Sequence, residues 1–404
     1  MNSNVEKRIN FFLLIIVVIL IYNYFISFLF NINPLNFLQY FDWMSTSQFL
    51  GGDLHSCCIY GYSETLVPTH PYPPFSYIFF RLVNFLFNIK NDDNFSINFQ
   101  LFYLFYVSII LMVSVLLINE KVKNNSIKVQ FFSTLVLFSN WVIGSIIVGN
   151  LSLITLPMLL FFMFFHNSED LICKELSLLT CALAFNLKLI PIVFAFVLVC
   201  NKDYKSFVRL TTYSAIIFFF SILVFNNTSY VNIIFEYLSC LFKYSVYNID
   251  RVGGGVAIYL FFSKLNFFPS LLAKIISKSF FVVLLIYAIY FKDVKQRILA
   301  ITLAAVFVGP AYPHYCVIFI IPFIYYIVEK NKFRVIDIMI FSILLLINLP
   351  IKYYFLPSFY NQDESLFKTI VTERVTYLLF AFITFDFINQ TKIMEYIRRR
   401  LTVK

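Results

Sequence analysis

Long stretches without charge constrain this chain most. Phe11 to Ile32 and Phe99 to Ile118 each contain no Asp, Glu, Lys or Arg. Each is long enough to cross a bilayer core as a helix, which takes about 20 residues. Similar, shorter runs follow almost to the carboxyl end. Charged residues make up only 13% of the chain, about half of what a soluble domain needs to cover its surface. The expected fold class is therefore all-α integral membrane. At about 20 residues per span, 404 residues hold at most about 12 spans and leave no room for a sizeable soluble domain.

Sidedness follows from the basic residues. Phe11 to Ile32 comes after Lys7 and Arg8, is too long for a signal-peptide core and is followed by no small-residue cleavage site, so it reads as an anchor with its amino terminus inside. Asn33 to Pro74 contains no Lys or Arg but holds Asp42, Asp53 and Glu64, which marks an outer loop. Phe75 to Ile89 carries Arg81 and Asn84 and reads as a helix lying in the interface, because Glu120-Lys121-Val122-Lys123 and Lys128 then fall inside.

The remaining spans are expected near 129–148, 151–165, 171–185, 188–200, 209–225, 279–291, 298–309, 315–328, 335–349 and 372–388. With the two runs above they make twelve, with both termini inside. This arrangement puts 20 of the 31 Lys and Arg on inner segments. The stretch 226–278 reads as an outer loop with one interfacial piece, Val256 to Phe268. There is no internal repeat and no break in composition, so residues 1–404 read as a single integral domain with an outer loop at about 33–97. The net charge of +10 is divided among short, separate runs sorted by membrane side, which argues against nucleic acid as a partner. The seven cysteines lack paired spacing, so neither a zinc site nor a disulfide framework is expected. Cys57 and Cys58 read as small polar residues of the outer loop.

The candidate chemistry gathers outside. Asp42, in Tyr40-Phe41-Asp42-Trp43, is flanked by aromatic residues suited to the headgroup layer. A carboxylate held there can take a proton from a hydroxyl at the membrane face, the plainer alternative being a solvated loop acid. His55 and His70 share the same loop. Thr69-His70-Pro71-Tyr72-Pro73-Pro74 forms a stiff lead into the interfacial helix. Lys188 opens an expected span with Pro191 in its first turn, where a helix amino terminus and an ammonium together suit a phosphate. Snorkelling to headgroups is the alternative reading.

Arg251 precedes Gly253-Gly254-Gly255, whose backbone amides can approach an anion. His314, in Gly309-Pro310-Ala311-Tyr312-Pro313-His314-Tyr315, can donate to a phosphate or sugar oxygen, although a lone loop histidine is more often structural. The inner segments carry no phosphate loop, no GxSxG and no HExxH, so an activated substrate is expected to arrive in the lipid phase.

Taken in order, Asp42-Trp43, Tyr72-Pro73-Pro74, Gly149-Asn150, Leu187-Lys188-Leu189-Ile190-Pro191 and the Gly309-to-Tyr315 segment resemble glycosyltransferase family 87, the polyprenyl-phosphate-mannose-dependent transferases of the GT-C class. The family pattern has Gly-Gln where this chain has Gly149-Asn150, and Ser-Pro-x-Ser-Trp where it has Gly-Pro-Ala-Tyr-Pro. The resemblance implies a GT-C-like bundle of about 12 transmembrane helices, with interfacial helices of the first outer loop covering a cavity. It also implies inverting transfer of a hexose, mannose or similar, from a polyprenyl-phosphate sugar to a hydroxyl of a glycan or glycolipid. Asp42 would be the general base. Lys188, His314 and Arg251 would lie by the donor phosphate, and Tyr72, Trp43, Asn150 and Tyr315 would line the substrate cavity. No cofactor or metal is required, since cationic side chains can neutralise the departing phosphate.

The expected location is a bacterial inner membrane, with multiple spans and cytoplasmic termini. A lipid-linked glycan flippase or other transporter is the alternative, disfavoured by the scarcity of mid-span charge and of repeats. A glycan polymerase would instead call for a large late outer loop.

Overall fold

A computed structural model describes residues 54–55, 57–58, 72–87, 97–125, 149–223, 232–241, 270–308, 317–328, 334–348 and 378–391, with short pieces between 129 and 146. Among these the regular elements are all helical. In chain order they are α1 (Pro74–Phe87), α2 (Ile97–Val122), α3 (Ser152–Phe165), α4 (Leu171–Leu187), a 3-10 segment (Ile190–Ala195), α5 (Phe196–Cys200) and α6 (Tyr204–Ile222). There follow α7 (Asn232–Leu241), α8 (Ser270–Tyr290), α9 (Val294–Val308), α10 (Ile320–Val328), α11 (Val335–Asn348) and α12 (Leu378–Gln390).

One helix among the described residues, Leu101–Val122, is long and apolar enough to cross a membrane by length and composition. Several others are shorter: the 14 residues of α3 span only about 21 Å at 1.5 Å per residue. Large apolar side chains face outward on α1 (Leu82, Phe85, Leu86), α2 (Leu104, Phe105, Met112, Leu116) and α6 (Ile216, Phe219, Phe220). Such a surface has no solution partner in water and suits lipid tails. Most expected spans coincide with a helix within a few residues. Two expectations about 226–278 need correction. A helix, Asn232–Leu241, lies inside the supposed outer loop, and α8 begins at Ser270, so Lys274 and Lys278 are helical residues rather than loop residues. Single charged residues inside apolar runs misled the reading there, Glu236 in Asn232–Leu241 and Lys274 and Lys278 in α8, because Glu and Lys are good helix formers and do not end a helix.

The bundle has two chemically different ends. At one end His166, just past α3, sets its Nδ1–H toward the carbonyls of Phe162 and Met163 at 3.1 and 3.2 Å, and its Nε2 accepts from the Asn201 amide at 3.2 Å. The Asn201 oxygen in turn accepts from Arg297 at 2.6 Å. Lys174 pairs with Asp203 at 2.7 Å, and Asp203 caps α6 by accepting the Ser206 N–H. Burial depresses the His166 imidazole to about 4, with the charges of Lys121 and Lys174 adding to the effect against the two carbonyl hydrogen bonds.

Beside this network the first turns of α9 and α11 and the last turn of α12 bury a charge cluster. Arg334 bonds both Asp337 and Asp386, Lys295 lies 3.6 Å from Asp337, and Gln296 and Gln390 donate to Asp386. Asp337 and Asp386 are almost wholly buried. All of these residues belong to segments expected on the inner side or at span ends next to it. Of the residues that the sequence singled out, Tyr72, Asn150 and Lys188 are described, and they lie at the other end.

Candidate active site

The second end is built where α4 stops. Pro191 has no N–H, so in a continued α-helix the carbonyl of Leu187 would lack its donor four residues on. The chain breaks there: Lys188 takes an extended conformation at φ −156° and ψ 135°, and the 3-10 segment starts at Ile190. The Ser76 hydroxyl of α1 donates to the Leu187 carbonyl at 2.7 Å, with the Asn186 carbonyl at 3.5 Å. One proline thus ends a helix and creates the acceptor that docks the amino end of α1. Asn186 anchors the same turn by donating to the Ala182 and Ser214 carbonyls at 2.9 and 3.1 Å.

The turn before α3 meets this break. Gly149 has φ 74°, a left-handed value that favours glycine. Gly149 and Asn150 both donate their N–H to the Ser145 carbonyl, at 3.0 and 3.1 Å. Asn150 Oδ1 then accepts the Ser152 N–H at 3.0 Å and the Ser152 hydroxyl at 2.8 Å, an Asx turn that satisfies a donor at the start of α3. The ammonium of Lys188 donates to the same Asn150 Oδ1 and, at 2.6 Å, to Ser152 Oγ. Lys188, Asn150 and Ser152 are 6%, 4% and 4% exposed.

Two residues singled out separately in the sequence, Lys188 and Asn150, therefore touch. The expected setting of Lys188 needs correction. It lies at the carboxyl end of α4, its N–H bonded to the Ala184 carbonyl at 2.9 Å, not in the first turn of a span. Its ammonium is held by an amide oxygen and a hydroxyl, and the negative end of the α4 dipole also favours it. Pro191 does sit at the start of the following 3-10 segment, as its position in the sequence suggested.

Tyr72 is half-buried just before α1, its ring edge-on to Phe80 at 5.4 Å between centroids. The loop ahead of α1 is partly folded into the core. His55 packs edge-on to Phe99 at 4.9 Å, and burial lowers its basicity. Cys57 and Cys58 are buried rather than small polar loop residues, and the Cys58 carbonyl accepts from Asn84 of α1 at 2.9 Å. Thiol burial costs little, which is why cysteine patterning misread them. Asp42, Trp43, Arg251, His314 and Tyr315 lie outside the described residues. Among the described residues no group of three or more His, Cys, Asp or Glu could hold a metal ion.

Ser152 and Ser76 were missed by the sequence reading. Ser152 carried a weak signal, a hydroxyl two places after Gly149-Asn150 at the head of an apolar run. Ser76 carried none, because its partner is 111 residues away.

The described residues form a helical bundle with large apolar side chains on its surface and a buried lysine at the end where α1 docks, a class of architecture suited to lipid. Residues 70–313 match the profile of glycosyltransferase family 87, and the chain belongs to that family. It is a glycosyltransferase. The matched stretch includes Tyr72, Asn150, Lys188 and Arg251, and leaves out Asp42, Trp43, His314 and Tyr315. Neither the curated proteins nor the solved structures gave a match.

Proposed function

We propose that this chain is a multi-pass membrane enzyme that moves a hexose, mannose or similar, from a polyprenyl-phosphate sugar to a hydroxyl of a glycan or glycolipid at the outer face of a bacterial inner membrane. In this reading Asp42 takes the proton of the acceptor hydroxyl. The freed oxygen attacks the anomeric carbon from the face opposite the phosphate, the carbon–oxygen bond to the phosphate breaks, and the configuration inverts. The electron pair departs on the polyprenyl phosphate, whose growing charge is met by Lys188, His314 and Arg251. Tyr72, Trp43 and Tyr315 surround the sugar and acceptor. The apolar exterior lets the donor's tail stay in lipid while its head reaches the site, and the scheme uses cationic side chains in place of a metal.

The observation that carries the reading is the ammonium of Lys188, buried against Asn150 and Ser152 at the end of the bundle where α1 docks, in a chain of a glycosyltransferase family. Burying a lysine is costly, and placing it beside a lipid-facing helix suits an enzyme whose leaving group is a lipid phosphate. The test is transfer by purified Asp42→Asn protein from a radiolabelled polyprenyl-phosphate hexose. A loss of about 10²- to 10⁴-fold is expected for a missing general base, and wild-type turnover by a normally folded variant would remove Asp42 from that role.

A further inference from the structure

Lys188 reaches its place through a side chain that also shapes the backbone. Asn150 Oδ1 accepts three hydrogen bonds, from Ser152 N at 3.0 Å, from Ser152 Oγ at 2.8 Å and from Lys188 Nζ. Ser152 Oγ gives its proton to Asn150 and accepts from Lys188 at 2.6 Å. The three groups therefore form a closed triangle with a single donor order, in which the ammonium donates to both of the others. Both holders are neutral, so they orient the ammonium by hydrogen bonds rather than by ion pairing. The Asx turn needs a short side chain to reach the N–H two residues on. In this chain the same oxygen starts α3 and orients the lysine.

We infer that Asn150 and Ser152 are positioning residues that aim the Lys188 ammonium at the phosphate of the lipid donor, and that Asn150 acts through Lys188 rather than by lining the sugar cavity. The inference rests on the reading of Lys188 as a phosphate-binding residue. It assigns specificity for an anionic headgroup to the triangle rather than to Lys188 alone. A carboxylate in place of the Asn150 amide keeps the shape, the acceptor for Ser152 and the bond to Lys188. It adds a negative charge against which an incoming phosphate must compete. A residue that merely starts a helix tolerates this change, since acids suit helix amino termini.

The test is binding of farnesyl phosphate, with farnesol as the uncharged comparison, to the full-length purified protein in detergent. The variants are Asn150→Asp, Ser152→Ala and Ser152→Thr, with unfolding temperature measured in parallel. Wild type is expected to prefer farnesyl phosphate over farnesol. Asn150→Asp is expected to lose about 10-fold or more of that preference while its unfolding temperature holds or rises. Ser152→Ala is expected to lose several-fold, and Ser152→Thr, which keeps the hydroxyl, to restore it.

Unchanged preference in Asn150→Asp and Ser152→Ala would overturn the inference and leave Lys188 as a phosphate ligand. No preference for the phosphate in wild type would instead overturn the phosphate reading itself. Should Asn150→Asp fail to fold, the serine pair decides alone: loss in Ala with recovery in Thr supports the inference, and equal binding in both overturns it.

Discussion

Replacing Lys188 with methionine separates what the buried ammonium does for the fold from what it does for the reaction. Methionine has nearly the same length and flexibility, so it removes the charge and fills much of the same space. Neither holder is orphaned. Asn150 Oδ1 keeps both Ser152 donors, and Ser152 Oγ still donates to Asn150. The described holders therefore add no unsatisfied-group penalty, which otherwise runs at about 1–3 kcal/mol. The lost charge-assisted bonds are offset in part by removing a buried ammonium that had to be desolvated, so unfolding should change only slightly.

The effect on transfer is different, because charge on the leaving phosphate grows toward the transition state. One charge-assisted hydrogen bond contributes about 1.5–3 kcal/mol, which is about 10- to 150-fold in kcat/KM. The assay is initial-rate transfer from a radiolabelled polyprenyl-phosphate hexose across a range of donor concentrations, with thermal unfolding followed on the same preparation. Lys188→Arg, which keeps a cation, should fall between wild type and Lys188→Met. A folded Lys188→Met protein with wild-type kcat/KM would refute the assignment of this lysine to the departing phosphate.

Ser76→Ala should cost about 1–3 kcal/mol, because the buried carbonyl of Leu187 loses the donor that Pro191 cannot supply; thermal unfolding measures this, and unchanged stability would show that α1 is held by apolar packing alone. Arg334→Met strips Asp386 of its guanidinium and leaves Asp337 the Lys295 ammonium at 3.6 Å and the Gln296 amide at 3.5 Å. Its side chain is 43% exposed, so the expected loss is about 2 kcal/mol, below that of a fully buried pair, and Asp386→Asn added to it should recover part of the loss in a double-mutant cycle.

His166 sets a pH dependence. Its folded value of about 4 lies below the ordinary 6.5, so the unfolded chain binds the proton more readily and stability falls as pH drops from 6.5 toward 4. The full contribution is on the order of 3 kcal/mol. A His166→Gln protein should show a flatter unfolding temperature across that window, and an unchanged slope would assign it to other groups.

The sequence made the helices legible wherever apolar length and flanking charge agreed, as for α2, α3, α4, α6, α9 and α11. It failed between 226 and 278, where single charges inside apolar helices, Glu236 in one and Lys274 and Lys278 in the other, look like loop residues. It also gave the meeting of Gly149-Asn150 and Lys188 only as two separate features, since spacing along a chain does not say which helix ends share a corner. Pro191 was read as a first-turn residue of a span opening at Lys188, but whether it starts one helix or stops another depends on the carbonyl four residues earlier, and that carbonyl's partner, Ser76, is far away in sequence. The buried cluster of Arg334, Asp337, Asp386 and Lys295 was hidden for the same reason. Each residue looks like an ordinary loop or helix-end charge until three helices bring them together.

The donor class tests the account most directly. Purified protein is given an acceptor glycolipid together with equal concentrations of a hexose on polyprenyl phosphate and the same hexose on a nucleoside diphosphate, each carrying a different radiolabel. The account predicts that label reaches the acceptor from the lipid donor and that Lys188→Met abolishes most of that transfer. Label arriving from the nucleotide sugar, or equal transfer by wild type and Lys188→Met, would contradict it.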